Sequence, residues 1–232
     1  MSSLLKRKDV LAASKPSSGG GSSAYQNKVL ADGALAYWPL DDVAGTTARE
    51  LVSAKNGTIS GGVTLNVAGV STNKAMTFNG TTGKIVTGSV TIPAICTIEG
   101  WIKTGSVGTP HKPYISTRLT GTTGDPIYLG VTIAPVTIFA FYGSSVVSVK
   151  LVGDSIWHQC VVTHDTWTAT IYIDGVFDAA LSAIARNNST VGPLSIGFDE
   201  PTTFYWPSSI ADISIYPRML TPAEITAHYS AR

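Results

Sequence analysis

Residues 157–175 read Trp-His-Gln-Cys-Val-Val-Thr-His-Asp-Thr-Trp-Thr-Ala-Thr-Ile-Tyr-Ile-Asp-Gly, and this stretch decides the fold. It contains two β-rich runs, 159–164 and 168–173, which are joined by the short polar turn 165–167. Asp174-Gly175 follows at once, and this dipeptide favours a hairpin because both residues tolerate positive φ. The stretch therefore predicts consecutive antiparallel strands.

Short strand-like runs continue on both sides of this stretch. Residues 96–103 alternate between two sets of side chains, which predicts one core face and one outer face. One or two helical turns are predicted at 25–31, and Thr221-Pro-Ala-Glu224 has the pattern of a capping box that begins a terminal helix. About a dozen short strands with a small helix at each end predict an all-β, antiparallel β-sandwich.

Residues 1–24 differ in composition from the rest of the chain. Residues 15–23 read Lys-Pro-Ser-Ser-Gly-Gly-Gly-Ser-Ser, which is the composition of a flexible linker. The residues before it could not bury their apolar surface as an isolated short helix. We predict that they anchor the protein to a larger assembly, the alternative being a disordered tail, and that residues 25–232 form the globular domain. The anchor residues are Leu4, Leu5, Lys6, Arg7, Lys8, Val10 and Leu11.

Composition and charge argue against several classes of partner. Charged residues make up 13% of the chain, against about 25% in ordinary soluble domains. The formal net charge is +1, so no broad field attracts nucleic acid or an anionic membrane. No apolar run approaches the ~20 residues of a membrane span, and residues 1–20 lack the apolar core of a signal peptide. We expect neither nucleic acid nor membrane as a partner.

Several ordered motifs carry a family resemblance over residues 25–229. They are Val29-Leu-Ala-Asp-Gly33 before Tyr37-Trp-Pro-Leu-Asp41, Phe78-Asn-Gly80, Ile98-Glu-Gly-Trp101, Trp157-His158, Tyr172-Ile-Asp-Gly175, Ile196-Gly197, and Ile215 to Ile225 with His228-Tyr229. Together they resemble the laminin G-like, concanavalin A-type jelly roll. The resemblance implies a domain that binds carbohydrates or proteins, of a kind attached to exported enzymes or found in bacteriophage structural proteins.

The same resemblance leaves a structural calcium ion open, because some members of the family carry one. The family often has Asp where this chain has Glu50 and Asn79, and Asp-Asp where it has Ala211-Asp212. These departures argue against calcium, and we expect no cofactor.

Acidic residues do not form the pattern of a glycosidase. The related glucanases use two or three acidic residues that alternate along one strand and point into one cleft. Here Glu99 and Asp212 each stand alone in a predicted strand, and Asp199 and Glu200 are adjacent. We therefore predict a protein without enzymatic activity.

Histidine and cysteine spacing predicts no metal site. His158 and His164 lie on one side of a strand but about 20 Å apart at ~3.3 Å per residue, so they cannot share a metal. Cys96 and Cys160 each lie within an apolar strand pattern, which favours two buried free thiols over a disulfide.

The best candidate for ligand binding is the loop 199–206, Asp-Glu-Pro-Thr-Thr-Phe-Tyr-Trp. Sugar recognition needs aromatic ring faces for C–H surfaces and polar acceptors for hydroxyl groups. The alternative is that the aromatic run packs the edge of the sandwich, and residues 109–114 are a second candidate loop. Four other tryptophans are expected in the core or on a face: Trp38, Trp101, Trp157 and Trp167. The candidate ligand-binding residues are Asp199, Glu200, Phe204, Tyr205 and Trp206.

Three functions follow from these features. The first is a non-enzymatic bacteriophage virion protein on the virion surface, a capsid decoration or fibre-like subunit. It would be multimeric, with its arm bound to capsid or tail proteins and its jelly roll touching host glycans. The second is a carbohydrate-binding module of a bacterial cell-surface protein. The third is a glycoside hydrolase, against which the missing carboxylate cluster argues.

Overall fold

The computed structural model describes residues 23–70, 73–105, 111–132, 137–141, 145–182 and 186–232, with backbone alone at 137–141. The predicted anchor residues Leu4, Leu5, Lys6, Arg7, Lys8, Val10 and Leu11 lie outside the described residues, as do residues 109 and 110 of the second candidate loop. No helix in the described ranges is long and apolar enough to cross a membrane. The elements are α1 (Ala24–Ala31), β1 (Ala36–Trp38), β2 (Thr47–Ala48), β3 (Gly57–Ser60), β4 (Val63–Ala68), β5 (Lys74–Phe78), β6 (Lys84–Thr87), β7 (Val90–Ile92), β8 (Ile95–Lys103), β9 (Lys112–Ser116), β10 (Tyr128–Val131), β11 (Thr137–Phe141), β12 (Ser145–Leu151), β13 (Trp157–Asp165), β14 (Thr168–Ile173), β15 (Val176–Ser182), β16 (Thr190–Gly192), β17 (Ser195–Ile196), β18 (Phe198–Asp199), β19 (Phe204–Tyr205), β20 (Ser209–Tyr216) and α2 (Pro222–Ser230).

Two antiparallel sheets of eight strands each form a sandwich. The first sheet has the order β15-β14-β13-β8-β20-β5-β4, with β1 paired to β20, and the second has the order β12-β11-β10-β9-β17-β6-β3-β2. Apolar side chains from both sheets, among them Trp38, Ile98 and Leu129, form the main core between them. This architecture confirms the predicted antiparallel β-sandwich of jelly-roll type.

The stretch that predicts the fold forms two adjacent strands of the first sheet, between the edge strand β15 and β8. Its two runs are β13 and β14, and Asp174 and Gly175 turn the chain into β15 with φ values of 54° and 79°. β13 also pairs with β8 over nine residues, from Trp157 opposite Lys103 to Asp165 opposite Ile95. The predicted sequence of antiparallel strands is confirmed.

Both faces of β8 are buried, although the alternation predicts one outer face. The opposite face is covered because α1 and α2, from the two ends of the chain, pack across it. Tyr25, Val29 and Ile225 of these helices are buried in a second apolar cluster there. Side chains on the core side are Cys96, Ile98 and Ile102, and those under the helices are Thr97, Glu99 and Trp101.

The terminal helix begins with the predicted capping box. The Thr221 side chain accepts a hydrogen bond from the Glu224 backbone N–H, and the Glu224 carboxylate accepts one from the Thr221 backbone N–H. This arrangement satisfies two backbone donors that a helix start leaves unpaired. The apolar edge of α2 lies on the sheet as predicted, since Ile225 is buried and the Tyr229 ring stacks on Trp101 at 5.9 Å.

Three of the four tryptophans predicted to lie in the core or on a face of the sandwich are packed there. Trp38 and Trp101 are buried, and Trp157 is half-buried. Trp167 is 57% exposed, so its predicted packing is wrong. It lies in the turn between β13 and β14 rather than in a strand. Cys96 and Cys160 are buried free thiols, as predicted.

Candidate functional site

The predicted ligand-binding loop forms a small hairpin on the second sheet. β18 pairs with β19, with Phe198 opposite Tyr205 and Asp199 opposite Phe204, and both strands pack against β9. The turn between them bends through Thr203, which has a φ of 54°. Two of the five candidate residues support this hairpin from inside, and three lie at its surface.

Asp199 is fully buried and supports the turn. Its carboxylate accepts hydrogen bonds from Ser116 Oγ at 2.7 Å and from Thr202 Oγ1 at 2.6 Å. Arg118 Nε lies 3.6 Å from the same carboxylate. Because buried charges require such partners, Asp199 fixes the hairpin on β9 and has no oxygen exposed to a ligand.

Trp206 belongs to the core, which corrects its assignment as a surface ring. It has no exposed surface, and its ring meets Tyr114 edge to face at 5.9 Å. The interpretation that the aromatic run packs the sandwich edge therefore applies to Trp206. The chain enters the core here because the Trp206 backbone N–H donates to the Gly197 carbonyl and draws the end of the hairpin inward.

Glu200, Phe204 and Tyr205 lie at the surface of the hairpin. Glu200 is exposed and accepts a hydrogen bond from the Thr120 backbone N–H, and the two aromatic residues are half-exposed. Tyr205 lies against Phe198, with ring centroids 4.7 Å apart. The candidate residues at the surface of the hairpin are thus one carboxylate and two rings.

Three cationic side chains near the hairpin each lie over an aromatic ring, and no pattern in the sequence singles them out. Lys84 Nζ lies 4.7 Å from the centre of the Phe198 ring, and Lys112 Nζ lies 5.4 Å from the centre of the Phe204 ring. The Arg118 guanidinium lies 5.5 Å from the Tyr128 ring. We call the set of Lys84, Lys112, Arg118, Tyr128, Phe198, Glu200, Phe204 and Tyr205 the hairpin surface.

A second polar cluster lies beneath the two helices around Glu99, which the sequence predicts to stand alone in its strand. His228 of α2 contacts Glu99 through Nδ1 and Asp32 through Nε2, both at 2.8 Å. Glu99 also accepts hydrogen bonds from Tyr25 at 2.8 Å and Gln159 at 2.6 Å. Burial lowers the pKa of His228, but its bonds to Glu99 and Asp32 outweigh this effect and raise the pKa. The cluster joins α1, α2 and the sheet, and Glu99 and His228 are fully buried.

The two histidines of β13 do not share a site. His158 lies between Asp174 at 2.8 Å and Asp154 at 3.0 Å, and these contacts raise its pKa despite the opposing effect of burial. His164 Nδ1 lies 3.1 Å from the Thr166 backbone nitrogen. His158 is thus a structural residue, as predicted, and no group of three or more potential metal ligands occurs among the described residues.

Side chains at the family's calcium positions do not fit a calcium site. Both Glu50 oxygens accept backbone hydrogen bonds, Oε1 from Tyr37 and Val52 and Oε2 from Ser53 and Lys55. Asn79 Oδ1 accepts three backbone hydrogen bonds within its own turn. Burial raises the pKa of Asp212 to about 8, which favours a neutral carboxyl rather than the charged oxygens that calcium binds.

Comparison with known proteins identifies the family. Residues 56–226 match a laminin G-type family model described as the concanavalin A-like lectin/glucanases superfamily, and the chain belongs to that superfamily. The matched residues include the hairpin surface. No curated protein sequence matches the chain.

Solved structures with the same fold come from toxins and carbohydrate-active enzymes. The binding domain of Paraclostridial Mosquitocidal Protein 1 has a TM-score of 0.65 at 15% identity, covering 86% of this chain and 52% of that one. A Trypanosoma rangeli sialidase in complex with the inhibitor DANA gives 0.63 at 15% identity, covering 85% and 32%. This chain thus spans about half of the first protein and a third of the second.

A third solved structure is matched over nearly the whole length of its own chain. Domain 4 of AbnA, a GH43 extracellular arabinanase from Geobacillus stearothermophilus, was solved in complex with arabinotriose. It has a TM-score of 0.58 at 16% identity, with coverage of 86% of this chain and 98% of that one. At such identities the likeness establishes a shared fold.

Proposed function

We propose that this protein is a non-catalytic glycan-binding domain and that its ligand contacts the hairpin surface. The observation that carries the proposal is that one hairpin exposes the carboxylate of Glu200 and half-exposes two rings, Phe204 and Tyr205. Aromatic faces pack against the C–H surfaces of sugars, and carboxylate oxygens accept hydrogen bonds from sugar hydroxyls. Membership of the concanavalin A-like lectin/glucanases superfamily and the fold shared with a domain solved in complex with arabinotriose support a carbohydrate ligand.

The hairpin is a suitable binding platform because its underside is fixed. Asp199 ties the turn to Ser116 of β9, and Trp206 anchors the end of β19 in the core. Side chains held in this way lose little conformational entropy when a ligand binds. A hairpin fixed in this way therefore favours recognition of a shallow ligand such as an oligosaccharide.

Burial of the acidic residues supports a function without catalysis. Glycoside hydrolysis needs two carboxyl groups that flank the bond to be cleaved, about 5–10 Å apart. Glu99, Asp199 and Asp212 are buried, and they accept hydrogen bonds from Tyr25, Ser116 and Tyr37 respectively. These three carboxyl groups therefore serve the fold rather than a substrate.

A glycan microarray followed by calorimetric titration of the best ligand tests this function. Phe204→Ala and Tyr205→Ala should each weaken binding about five- to tenfold, because each removes one stacking face. Phe177→Ala is the control, since Phe177 is an even more exposed aromatic residue on β15 of the first sheet, and the affinity of this variant should not change. Binding of no glycan, or unchanged affinity in both hairpin variants, would refute the proposal.

For the biological setting we propose a bacteriophage virion, in which residues 1–24 bind capsid or tail proteins and the jelly roll faces outward. The composition of that segment, apolar and basic residues before a Gly/Ser linker, supports this setting. Deletion of residues 1–23 should abolish incorporation into particles while the sandwich stays folded by circular dichroism. Normal occupancy after the deletion would remove the virion from consideration.

A carbohydrate-binding module of a larger bacterial surface protein is the second candidate. One observation favours it: the chain covers 98% of a single domain of an extracellular arabinanase. A module of this kind binds its glycan with the same affinity after residues 1–23 are removed and associates with no particle. The deletion experiment therefore separates the two settings without affecting the glycan-binding proposal.

A further inference from the structure

Positive charge is concentrated on the hairpin surface and is only partly compensated. Lys84, Lys112 and Arg118 come from β6, β9 and the loop after β9, and each cation lies over a different aromatic ring. Among the described residues, no carboxylate lies within salt-bridge distance of Lys84 or Lys112, and Arg118 is 3.6 Å from buried Asp199. Elsewhere Lys28, Arg49, Lys150 and Arg218 pair with carboxylates at 2.5–2.9 Å.

Ring contacts orient these cations without neutralising them. A lysine stem that packs on an aromatic ring loses rotamer freedom, while its ammonium group keeps donors free for another partner. Half-buried positions raise the strength of any ion pair formed there, because the local dielectric constant is lower than that of water. These cationic side chains are therefore oriented to form an ion pair with an anionic group of a ligand.

Glu200 is the opposing charge on this surface. Its carboxylate accepts a hydrogen bond from the Thr120 backbone N–H. Because the side chain is also exposed, it can repel an anionic ligand or accept a hydrogen bond from a hydroxyl group. The surface thus carries three cations against one exposed carboxylate and one buried carboxylate. This imbalance favours anionic ligands over neutral ones, although the net charge of the chain is only +1.

We propose that the hairpin surface selects acidic glycans, those carrying carboxylate, sulfate or phosphate groups. The inference rests on the proposed glycan-binding function and adds the class of ligand. Phe204 and Tyr205 supply the stacking faces, and Lys84 and Lys112 supply the charges that meet the acidic substituent. Arg118 adds a planar donor group that matches carboxylate and sulfate geometry.

Three matched probes test the charge preference: lactose, 3′-sialyllactose and 3′-sulfolactose, titrated at low and high salt. Both acidic probes should bind at least about tenfold more tightly than lactose at low ionic strength, and the gap should narrow as added salt screens exposed charges. Both acidic probes are used so that a carboxylate-specific contact and a general charge effect are distinguished.

Charge variants locate the effect on this surface. Lys84→Gln and Lys112→Gln should each reduce acidic-probe affinity about three- to tenfold, and Lys112→Arg should retain it. Lys150→Gln is the matched control, since Lys150 pairs with Asp174 elsewhere on the domain, and it should change nothing. Glu200→Gln should strengthen acidic-probe binding, whereas a site for neutral sugars would lose an acceptor and bind more weakly.

The outcomes for ligand class and for function are distinguishable. If lactose binds as tightly as the acidic probes and Phe204→Ala still weakens binding, the inference is wrong and the glycan-binding function stands. If neither these probes nor any glycan on the microarray binds, both are wrong. Circular dichroism on each variant separates loss of binding from loss of fold.

Discussion

Replacing His228 by Leu tests how the ends of the chain are held to the sandwich. The imidazole lies between Glu99 and Asp32, with 2.8 Å from each ring nitrogen to a carboxylate oxygen, so both contacts are donated only by the protonated ring. Leu fills much of the same volume but provides no donor. The variant therefore leaves Glu99 buried with Tyr25 and Gln159 as its remaining donors.

Breaking one side of a buried charge pair costs about 3–5 kcal/mol. A domain of 150–250 residues loses about 2–4 °C in Tm per kcal/mol, so we expect a fall of about 6–20 °C. His111→Leu replaces an exposed histidine and is the matched control, for which the expected change is below about 0.5 kcal/mol. Replacing both partners, as in Glu99→Gln with His228→Leu, should recover part of the loss because no unpaired charge stays buried.

This penalty depends on pH in a defined direction. The pKa of His228 is raised in the folded protein, so its contribution is complete below the unfolded value of about 6.5 and is lost as pH rises through the raised pKa. The pKa of Asp32 is lowered, so its contribution is complete above about 3.9 and is lost as pH falls through the lowered pKa. The Tm difference between wild type and His228→Leu should be largest between about pH 4 and 6.5 and smaller at pH 9.

Differential scanning calorimetry of the wild type, His228→Leu and His111→Leu across this pH range measures the effect. A Tm change below about 2 °C, or a difference that grows toward alkaline pH, would refute the charged connection between α1, α2 and the sheet.

Three further predictions concern stability and reactivity. Burial raises the pKa of Asp212 to about 8, so the wild type should lose stability as pH rises from about 4 through 8. The Asp212→Asn variant should then have a higher Tm than the wild type at pH 9 but not at pH 4. Thermal scans in which the two proteins have equal Tm values at pH 9 would contradict this prediction. Thr221→Ala removes the N-cap of α2 and should lower the free energy of unfolding by about 1 kcal/mol, which corresponds to about 2–4 °C in Tm. An unchanged Tm would contradict this prediction. Burial raises the pKa of Cys96 to about 11 and that of Cys160 well above its usual value, so neither should react with iodoacetamide at neutral pH in the folded protein. Rapid labelling of either thiol without denaturant, measured by mass spectrometry, would show that this prediction is wrong.

Local pattern was sufficient for the strands and the capping box, because their signals lie within a few residues of one another. The turn at Asp174-Gly175 and the box at Thr221 and Glu224 need no distant contacts. Covering the outer side of β8 with two helices could not be predicted in the same way. It depends on α1 and α2, which are separated by almost the whole chain and meet at Glu99 only in the tertiary structure.

The candidate site was predictable in position but not in its details. The loop composition indicated aromatic and acidic residues, yet alternation in a two-residue strand cannot tell which side chains face inward. The structure buries Asp199 and Trp206 and exposes Glu200. Lys84 and Lys112 could not be selected from the sequence, because they come close to the hairpin only through the strand order β9-β17-β6 in the second sheet.

The most direct test of glycan binding at the hairpin surface is an amide NMR titration of the domain with the best microarray ligand. Shifts should concentrate at residues 198–205 and at Lys84, Lys112 and Arg118, and they should saturate with the calorimetric affinity. Shifts centred instead on the exposed apolar side chains of β12 and β15, or on Trp167, would contradict the account and place the ligand on another surface.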